Sequence, residues 1–218
     1  MKTALIVGAT GMVGNHILDY CLESEEISKV KVLTRRPTGK SHSKLEEIIH
    51  KEFSSYEGAG STFENVDMGF FCIGVYTGSV KDDLLREITV DYAEAFAKSL
   101  INGSPESTLC FLSGQGSDRT EKSRMSFAKY KGMAENLIDK MGFKAWYSFR
   151  PAYIYPVVPR EEPNWMYSLS RKIYPIVKLM GKNASVKSSE LAEAMLKVGL
   201  EGHEKTILEN KDIVSVIQ

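Results

Sequence analysis

The first fourteen residues constrain the fold of this chain most strongly. Residues 4–7 (Ala-Leu-Ile-Val) are an all-apolar run, long enough for a strand that is buried on both faces. A glycine-rich segment, residues 8–14 (Gly-Ala-Thr-Gly-Met-Val-Gly), follows directly, and Val13, Ile17 and Cys21 then recur at helical spacing. A buried strand, a glycine turn and a helix in this order are the context in which a glycine pattern indicates a dinucleotide site.

Each of the three glycines has a physical role in such a turn. Gly8 permits the tight turn, and Gly11 lets backbone N–H groups approach a pyrophosphate because it has no Cβ. Gly14 allows the helix to pack closely on the strand, and the positive end of the helix dipole then points at the phosphates. The alternative is a strand-to-helix turn that needs glycine and binds nothing. The predicted cofactor contacts in this segment are Gly8, Thr10, Gly11, Met12, Val13 and Gly14.

Strand and helix patterns alternate along most of the chain. The predicted helices after the first are residues 80–101 and 125–141, and the predicted strands are residues 4–7, 30–34, 48–53, 68–73, 108–112 and 144–150. This alternation with short links implies a parallel sheet with right-handed crossovers. A sheet that begins with a phosphate-binding turn usually has the strand order 3-2-1-4-5-6, with its ligand outside the carboxyl ends of the strands. We therefore predict an α/β fold with a doubly wound parallel sheet, a Rossmann fold.

The alternation weakens from Pro156 onward. A helix is predicted over residues 164–180, another helix begins near residues 188–190, and a final strand is possible at residues 206–208. We expect residues 1–218 to form one domain, in which residues 156–200 make a small helical cap on the substrate side. Aromatic and apolar side chains in this part suggest an apolar substrate pocket, although a core helix would have the same pattern; they are Trp165, Met166, Tyr167 and Tyr174.

Charge and composition exclude several classes of partner. Lys and Arg total 28 and Asp and Glu total 28, so no global field recruits nucleic acid or an anionic membrane. The three cysteines are separated and are interpreted as buried reduced thiols, and the four histidines are scattered, so no metal site is predicted. No signal peptide and no apolar run of membrane-spanning length is recognised. These features predict a cytoplasmic protein with a small-molecule partner, and they leave the oligomeric state open.

The end of the second strand bears on which dinucleotide is bound. A carboxylate there would accept hydrogen bonds from the adenosine ribose and favour NAD. Here the sequence continues Leu33-Thr34-Arg35-Arg36 and contains no acid. Because arginine pairs bidentately with phosphate, Arg35 and Arg36 favour the 2′-phosphate of NADP. The alternative is that both arginines belong to a solvated loop.

Several later segments, together with the glycine turn, resemble the atypical short-chain dehydrogenase/reductase group and NAD-dependent epimerase/dehydratase-like proteins. The segments are residues 34–36, 70–74, 112–114, 131–135 and 150–155. The resemblance implies a Rossmann fold and an NADP-dependent oxidoreductase that acts on a small carbonyl compound. It also implies further cofactor contacts at Ile73, Gly74, Lys131, Pro151 and Tyr153.

The resemblance further implies a serine, a tyrosine and a lysine as the reacting side chains. The serine position matches Ser113 and the lysine position matches Lys131, but the tyrosine position, four residues before the lysine, is Phe127. A phenyl ring has no proton to exchange. Tyr130, three residues further along the same helix, is a candidate replacement, which gives Ser113, Lys131 and Tyr130 as candidate catalytic residues. Other candidate donors are Tyr76, Tyr153 and Tyr155. For each of these, as for Tyr130, the alternative is a packed aromatic residue, which the sequence favours.

These residues are compatible with two classes of function. The complete cofactor framework with Ser113 and Lys131 predicts an NADPH-dependent reductase or isomerase, in which the protein orients the substrate and supplies a proton donor. Phe127 favours the alternative, a non-catalytic NADP(H)-binding or sensor protein that the cofactor stabilises by mass action. A Rossmann domain without any ligand is the third possibility.

Overall fold

The computed structural model of the chain describes residues 1–75, 78–158 and 183–218. Three sequence-based predictions lie outside the described residues. They are the candidate donor Tyr76, the helix over residues 164–180, and the apolar pocket residues Trp165, Met166, Tyr167 and Tyr174.

The strands of the described residues form one large sheet and one small ribbon. The nine strands are β1 (Lys2–Val7), β2 (Ile27–Thr34), β3 (Leu45–Ile49), β4 (Met68–Phe71), β5 (Thr108–Leu112), β6 (Ala145–Arg150), β7 (Tyr153–Tyr155), β8 (Ser185–Lys187) and β9 (Ile207–Glu209). Seven of them form a parallel sheet in the order β3-β2-β1-β4-β5-β6-β9, while β7 and β8 pair with each other. The predicted doubly wound parallel sheet is confirmed, and β9 extends it beyond β6.

The third strand begins and ends earlier than the sequence pattern predicts. The pattern favours residues 48–53, whereas β3 covers Leu45–Ile49 and pairs with β2 from Leu45 opposite Val30 to Ile49 opposite Thr34. β3 lies at the edge of the sheet, so it is half-exposed and lacks a strong apolar pattern. Phe53 lies outside the strand and packs instead in an aromatic cluster with Tyr56.

Helices cover both faces of the sheet. Their bounds are α1 (Gly14–Glu23), α2 (Asp82–Arg86), α3 (Tyr92–Gly103), α4 (Ser126–Lys140), α5 (Ser188–Glu201) and α6 (Asn210–Val216). Residues Glu87–Asp91 between α2 and α3 are π-helical, so the helix predicted over residues 80–101 contains one wider turn. Apolar residues of α1 and α5 belong to one core, and those of α3 and α4 belong to the other.

The position of the first strand explains why its sequence is apolar throughout. Ala4 and Ile6 are buried in the core beneath α1 and α5, whereas Leu5 and Val7 are buried in the core beneath α3 and α4. Successive residues of a strand point to opposite faces, so a central strand covered on both sides needs apolar residues at every position. This strand carries the glycine turn to the carboxyl edge of the sheet between the two helical layers.

Two further features of the described residues bear on function. Cys21, Cys72 and Cys110 are buried free thiols, as predicted. None of the helices within residues 1–75, 78–158 and 183–218 is long and apolar enough to cross a bilayer.

Candidate functional site

The glycine turn after β1 adopts a conformation that only glycine accepts readily. Gly8 has a φ of +82°, and a Cβ at this position would lie 2.6 Å from the backbone carbonyl carbon of Cys72. The amide of Gly11 donates a hydrogen bond of 2.9 Å to the carbonyl oxygen of Gly8. The turn is therefore folded back on itself and pressed against the end of β4.

The start of α1 is set by the last glycine of the turn. A Cβ at Gly14 would lie 2.3 Å from the carbonyl oxygen of Gly8. Helix α1 begins at Gly14, so the helix rests directly on the turn and the positive end of its dipole lies there. Met12 and Val13, immediately before the helix, line a cavity at the carboxyl edge of the sheet.

The end of β2 carries two exposed cationic side chains. Arg35 and Arg36 follow Thr34, whose hydroxyl donates a 2.8 Å hydrogen bond to the carbonyl oxygen of Arg36 and so fixes this loop. Within the described part of the chain, neither arginine has an ion-pair partner. β2 is adjacent to β1 in the sheet, so both guanidinium groups are on the strand next to the glycine turn.

The cavity has a volume of about 260 Å³ and opens where the central strands end. Predicted site residues that the structure brings together around it come from the turn, from the ends of β4 and β5, from α4 and from the segment after β6. They are Gly11, Met12, Val13, Ile73, Gly74, Ser113, Lys131 and Pro151. The remaining lining is mostly apolar, and it includes Val75, Leu112, Phe127, Ala152 and Ile154.

Tyr153 does not line this cavity. Its neighbour Ile154 does, and successive side chains of a strand point to opposite faces. Tyr153 and Tyr155 are therefore on the other side of β7, and both are half-buried there. Sequence reasoning missed Ile154, although strand alternation across residues 153–155 is the signal that would have found it.

Phe127 occupies the wall of the cavity at the position where the resemblance implies a tyrosine. Its ring lies against Gly114, because a Cβ at Gly114 would be 2.5 Å from the Cζ atom of Phe127. Gly114 therefore provides the space that the phenyl ring fills. No hydroxyl is supplied by this position of α4.

Tyr130, the nearest replacement along α4, faces a different part of the molecule. Its hydroxyl donates a 2.6 Å hydrogen bond to a carboxylate oxygen of Asp82 at the start of α2. This hydrogen bond raises the pKa of Tyr130 above its ordinary value. Tyr130 is absent from the described lining of the cavity, so the structure does not bring it together with Ser113 and Lys131.

A buried carboxylate organises the wall behind Ser113. Glu135 is completely buried, and its Oε1 atom accepts hydrogen bonds from the hydroxyls of Ser113 and Ser148, both at 2.7 Å. Arg150 donates to Oε1 from Nε at 2.9 Å and to Oε2 from Nη2 at 2.5 Å. Arg150 also reaches Glu209 at 3.1 Å. This network joins α4, β5, β6 and β9.

Lys131 lies one helical turn before Glu135 and is almost fully buried. Its Nζ atom donates a 2.7 Å hydrogen bond to the carbonyl oxygen of Leu112 and lies 4.8 Å from the centre of the Phe111 ring. Burial lowers the pKa of Lys131 to about 8, although Glu135 and Cys72 oppose this shift. The ammonium group therefore loses its proton at a lower pH than an exposed lysine does.

Sequence reasoning did not assign roles to Glu135, Ser148 and Arg150. The available signal was the position of Glu135, four residues after Lys131 on the same helix face, with a basic residue at the end of the next strand. No group of three or more His, Cys, Asp or Glu side chains that could hold a metal ion occurs in the described parts of the chain.

The sheet order, the glycine turn at its first strand and the cavity at its carboxyl edge define an NAD(P)-binding Rossmann-fold protein. Comparisons with known proteins agree with this class. Residues 4–80 match the NAD dependent epimerase/dehydratase family.

Relatives that match most of the chain are also found. Protein fmp52-2, mitochondrial, of Aspergillus oryzae is 23% identical over 98% of this chain and 96% of its own length. Protein HTATIP2 of Rattus norvegicus is 24% identical over 79% of this chain and 70% of its own length. The resemblance of the motifs to proteins of epimerase/dehydratase and short-chain dehydrogenase/reductase type is therefore confirmed.

The fold has a solved counterpart in the enzyme WbmH of Bordetella bronchiseptica, crystallised in complex with NAD+. The two structures superpose with a TM-score of 0.72 over 96% of this chain and 75% of WbmH, at 14% sequence identity. Identity at this level supports the Rossmann fold alone.

The comparisons correct the predicted location. Proteins named as mitochondrial are among the relatives, from Aspergillus oryzae, Neosartorya fischeri and Chaetomium globosum, so the prediction of a cytoplasmic protein is wrong. That prediction rested on reduced cysteines, on the lack of a recognised signal peptide and on the lack of a long apolar run. None of these features distinguishes the cytosol from the interior of a mitochondrion.

Proposed function

We propose that this protein is an NADP(H)-dependent oxidoreductase that acts on a small, predominantly apolar carbonyl compound. The observation that carries the proposal is the convergence of three features at one edge of the sheet. These are the glycine turn of residues 8–14, the two arginines after β2, and an apolar cavity that contains Ser113 and Lys131.

The residues at this edge fit a dinucleotide. Gly11 and Gly74 present backbone without side chains to the cavity, and nothing lies within 4 Å of a Cβ built at Gly74. The glycine turn would hold the pyrophosphate, and Ile73, Gly74 and Pro151 would contact the nicotinamide half of the cofactor. When bound, the cofactor supplies or accepts a hydride. The protein orients the carbonyl group and excludes water with its apolar wall.

The preference for NADP over NAD rests on Arg35 and Arg36. Both are exposed, neither is engaged in an ion pair with a described residue, and the loop that carries them is fixed by Thr34. Two guanidinium groups beside a ribose 2′-phosphate would form charge-assisted hydrogen bonds that a 2′-hydroxyl does not offer.

Titration of NADPH and NADH against the protein tests this preference. Relative to wild type, Arg35→Ala and Arg36→Ala are expected to raise the Kd for NADPH about tenfold, which is about 1.4 kcal/mol. The Kd for NADH should change less than about twofold, because NADH lacks the phosphate. Lys40→Ala is the matched control, since Lys40 pairs with Asp19 nearby. Equal affinities for the two nucleotides that neither arginine variant alters would contradict the proposal.

We also propose that the chain is a single domain, in which the part of residues 156–200 that precedes α5 forms the substrate-side cap. Helix α5 (Ser188–Glu201) instead packs with α1 in the core. The described ends of the cap segment support the proposal, because β8 pairs with β7 immediately after the cavity residue Ala152. The proposed substrate is apolar because most of the described residues that line the cavity are apolar.

A second candidate is a non-catalytic NADP(H)-binding protein. The observation that favours it is Phe127 in the cavity wall together with Tyr130 directed at Asp82. Incubation of the NADPH-loaded protein with a panel of aldehydes and ketones, followed by absorbance at the NADPH band, discriminates the two. Turnover supports the reductase, whereas tight NADPH binding without turnover across the panel supports the binding protein.

A further inference from the structure

The proposed reductase needs a group that gives a proton to the substrate oxygen, and the cavity offers few. Among the described lining residues, only Cys72, Ser113 and Lys131 carry a hydrogen on a polar side-chain atom. The inference below rests on the proposed function and names the residue that donates this proton.

The hydroxyl hydrogen of Ser113 already forms a hydrogen bond within the protein. Its hydroxyl donates to Glu135, and Glu135 accepts from Arg150 as well, so the carboxylate acts only as an acceptor. Ser117 lies 2.9 Å from the Ser113 oxygen and itself donates to the carbonyl oxygen of Gly114 at 2.6 Å. Ser113 therefore presents oxygen lone pairs, and it can accept a hydrogen bond without being a proton donor.

Cys72 is a poor acid at this position. Its thiol is buried, and burial raises the pKa of Cys72 to about 12. A thiol of such weak acidity gives up its proton less readily than an ammonium group nearby. This leaves Lys131.

The surroundings of Lys131 suit a proton donor. One N–H of its ammonium group is held by the carbonyl oxygen of Leu112, which leaves two for the cavity that this residue lines. The titratable groups that face it are Glu135, from its own helix, and Cys72, from the end of β4. Glu135 is ion-paired with Arg150, and no ion pair between Glu135 and Lys131 occurs among the described residues.

We propose that Lys131 is the catalytic proton donor of this cavity, in the role that the residue at position 127 cannot perform. The hydride for the new C–H bond would come from the nicotinamide cofactor. The ammonium group of Lys131 gives its proton to the carbonyl oxygen, whose π electron pair becomes the new O–H bond. Lys131 is left as a neutral amine and regains a proton from water. A nitrogen acid whose pKa lies near the working pH is effective in this role.

The first test measures Lys131 without turnover. The protein is methylated with formaldehyde and cyanoborohydride between pH 6 and pH 10, about two units on either side of the value expected for Lys131, and each lysine is followed by peptide mass spectrometry. Modification of Lys131 should rise with a midpoint near pH 8, and saturating NADPH should slow it about tenfold or more by covering the cavity. Lys129, on the same helix but outside the described cavity lining, is the internal control and should be insensitive to NADPH. A midpoint above pH 10, or modification unaffected by NADPH, would overturn the proposal.

The second test separates proton donation from cofactor binding. Lys131→Gln should lower kcat at least about 100-fold, the usual contribution of general acid catalysis, while the Kd for NADPH rises less than about tenfold. Lys131→Arg should not restore kcat, because arginine does not release a proton. Phe127→Tyr placed in the Lys131→Gln background should recover part of kcat, since it supplies a phenol at the cavity wall. Lys129→Gln serves as the control with unchanged kcat.

The outcomes distinguish this proposal from the proposed function. Wild-type protein without NADPH turnover on the carbonyl panel would overturn both. Wild-type turnover that survives in Lys131→Gln, with only the Kd for NADPH raised, would overturn the proton-donor role and leave the reductase intact. For the wild type, kcat should fall as the pH rises through about 8, because the amine form cannot donate.

Discussion

The glycine turn of residues 8–14 and the α4 wall of the cavity, residues 127–135, are specified in different ways. The turn depends on backbone geometry, because Gly8 and Gly14 occupy places where a Cβ would collide with backbone atoms. The α4 wall depends on side-chain chemistry, because Lys131 and Glu135 bury charge that other elements must compensate. The spacing of the glycines is therefore enough to predict the turn. The chemistry of the α4 wall depends on single side-chain groups, such as the hydroxyl that Phe127 lacks and a tyrosine would have.

The same two regions separate cofactor binding from reaction. The turn and its helix dipole are complete by themselves, which supports a nucleotide site whatever chemistry the cavity performs. The α4 wall keeps the lysine of the resemblance, and the serine is kept at Ser113 after β5. Glu135 of the wall accepts the Ser113 hydrogen, so that hydrogen points into the protein. A chain can thus keep the glycine turn that binds a cofactor while a different residue takes over the role of proton donor.

The largest effect should come from the buried charge of the wall. Glu135→Gln removes the carboxylate that holds Arg150, Ser113 and Ser148, and breaking a buried ion pair in this way costs about 3–5 kcal/mol of unfolding free energy. Urea denaturation monitored by circular dichroism measures this loss. Glu209→Gln, at the half-exposed end of the same network, is the control and should cost less than about 1 kcal/mol. Equal losses in both variants would show that burial does not distinguish the two carboxylates.

A second effect concerns the pH dependence of stability. The folded-state pKa of Lys131 is lowered to about 8, so the unfolded state binds more protons between pH 8 and the ordinary lysine value. The stability of wild type should therefore rise with pH across this window, by up to about 3 kcal/mol relative to Lys131→Met. Below pH 8 the difference between the two proteins should be constant. If the unfolding free energies of wild type and Lys131→Met changed in parallel above pH 8, Lys131 would titrate as an exposed lysine does.

The third effect probes the turn with a single methyl group. Gly14→Ala places a Cβ on the carbonyl oxygen of Gly8, so α1 must move away from the turn. We expect a loss of about 2 kcal/mol in unfolding free energy and a rise of more than about tenfold in the Kd for NADPH. Gly60→Ala, where no atom lies within 4 Å of the added Cβ, should change stability by less than about 0.5 kcal/mol. A Gly14→Ala protein with wild-type affinity for NADPH would show that the turn does not hold the cofactor.

The sequence predicts the parts of the structure that repeat a physical pattern. The strand order is inferred from the glycine turn and from the alternation of helices and strands, and it is confirmed. The predicted bounds of β3 are wrong because an edge strand with one pairing partner needs little apolar pattern. The π-helical residues 87–91 lie inside an unbroken helical pattern, so the sequence pattern does not predict the π-helical turn.

The candidate site is only partly readable from the sequence, for a different reason. Residues near the strand ends, such as Ile73, Gly74 and Ser113, are assigned from the resemblance. The structure brings them together because parallel strands end at one edge of the sheet. A sequence does not give the directions of side chains, so Tyr130 toward Asp82 and Ser113 toward Glu135 require the packed structure. Glu135 is 22 residues from Ser113, and only the packing of α4 on β5 and β6 brings them together.

The central claim is that backbone amides at the start of α1 hold the pyrophosphate of a nicotinamide dinucleotide. The most direct measurement is a titration of the ¹⁵N-labelled protein with NADPH, followed by amide chemical shifts. We expect the largest shift changes at Gly11, Met12 and Val13, in the turn and at the mouth of the cavity. Saturating NADPH that leaves these three amides unchanged, or that shifts only amides elsewhere, would contradict it.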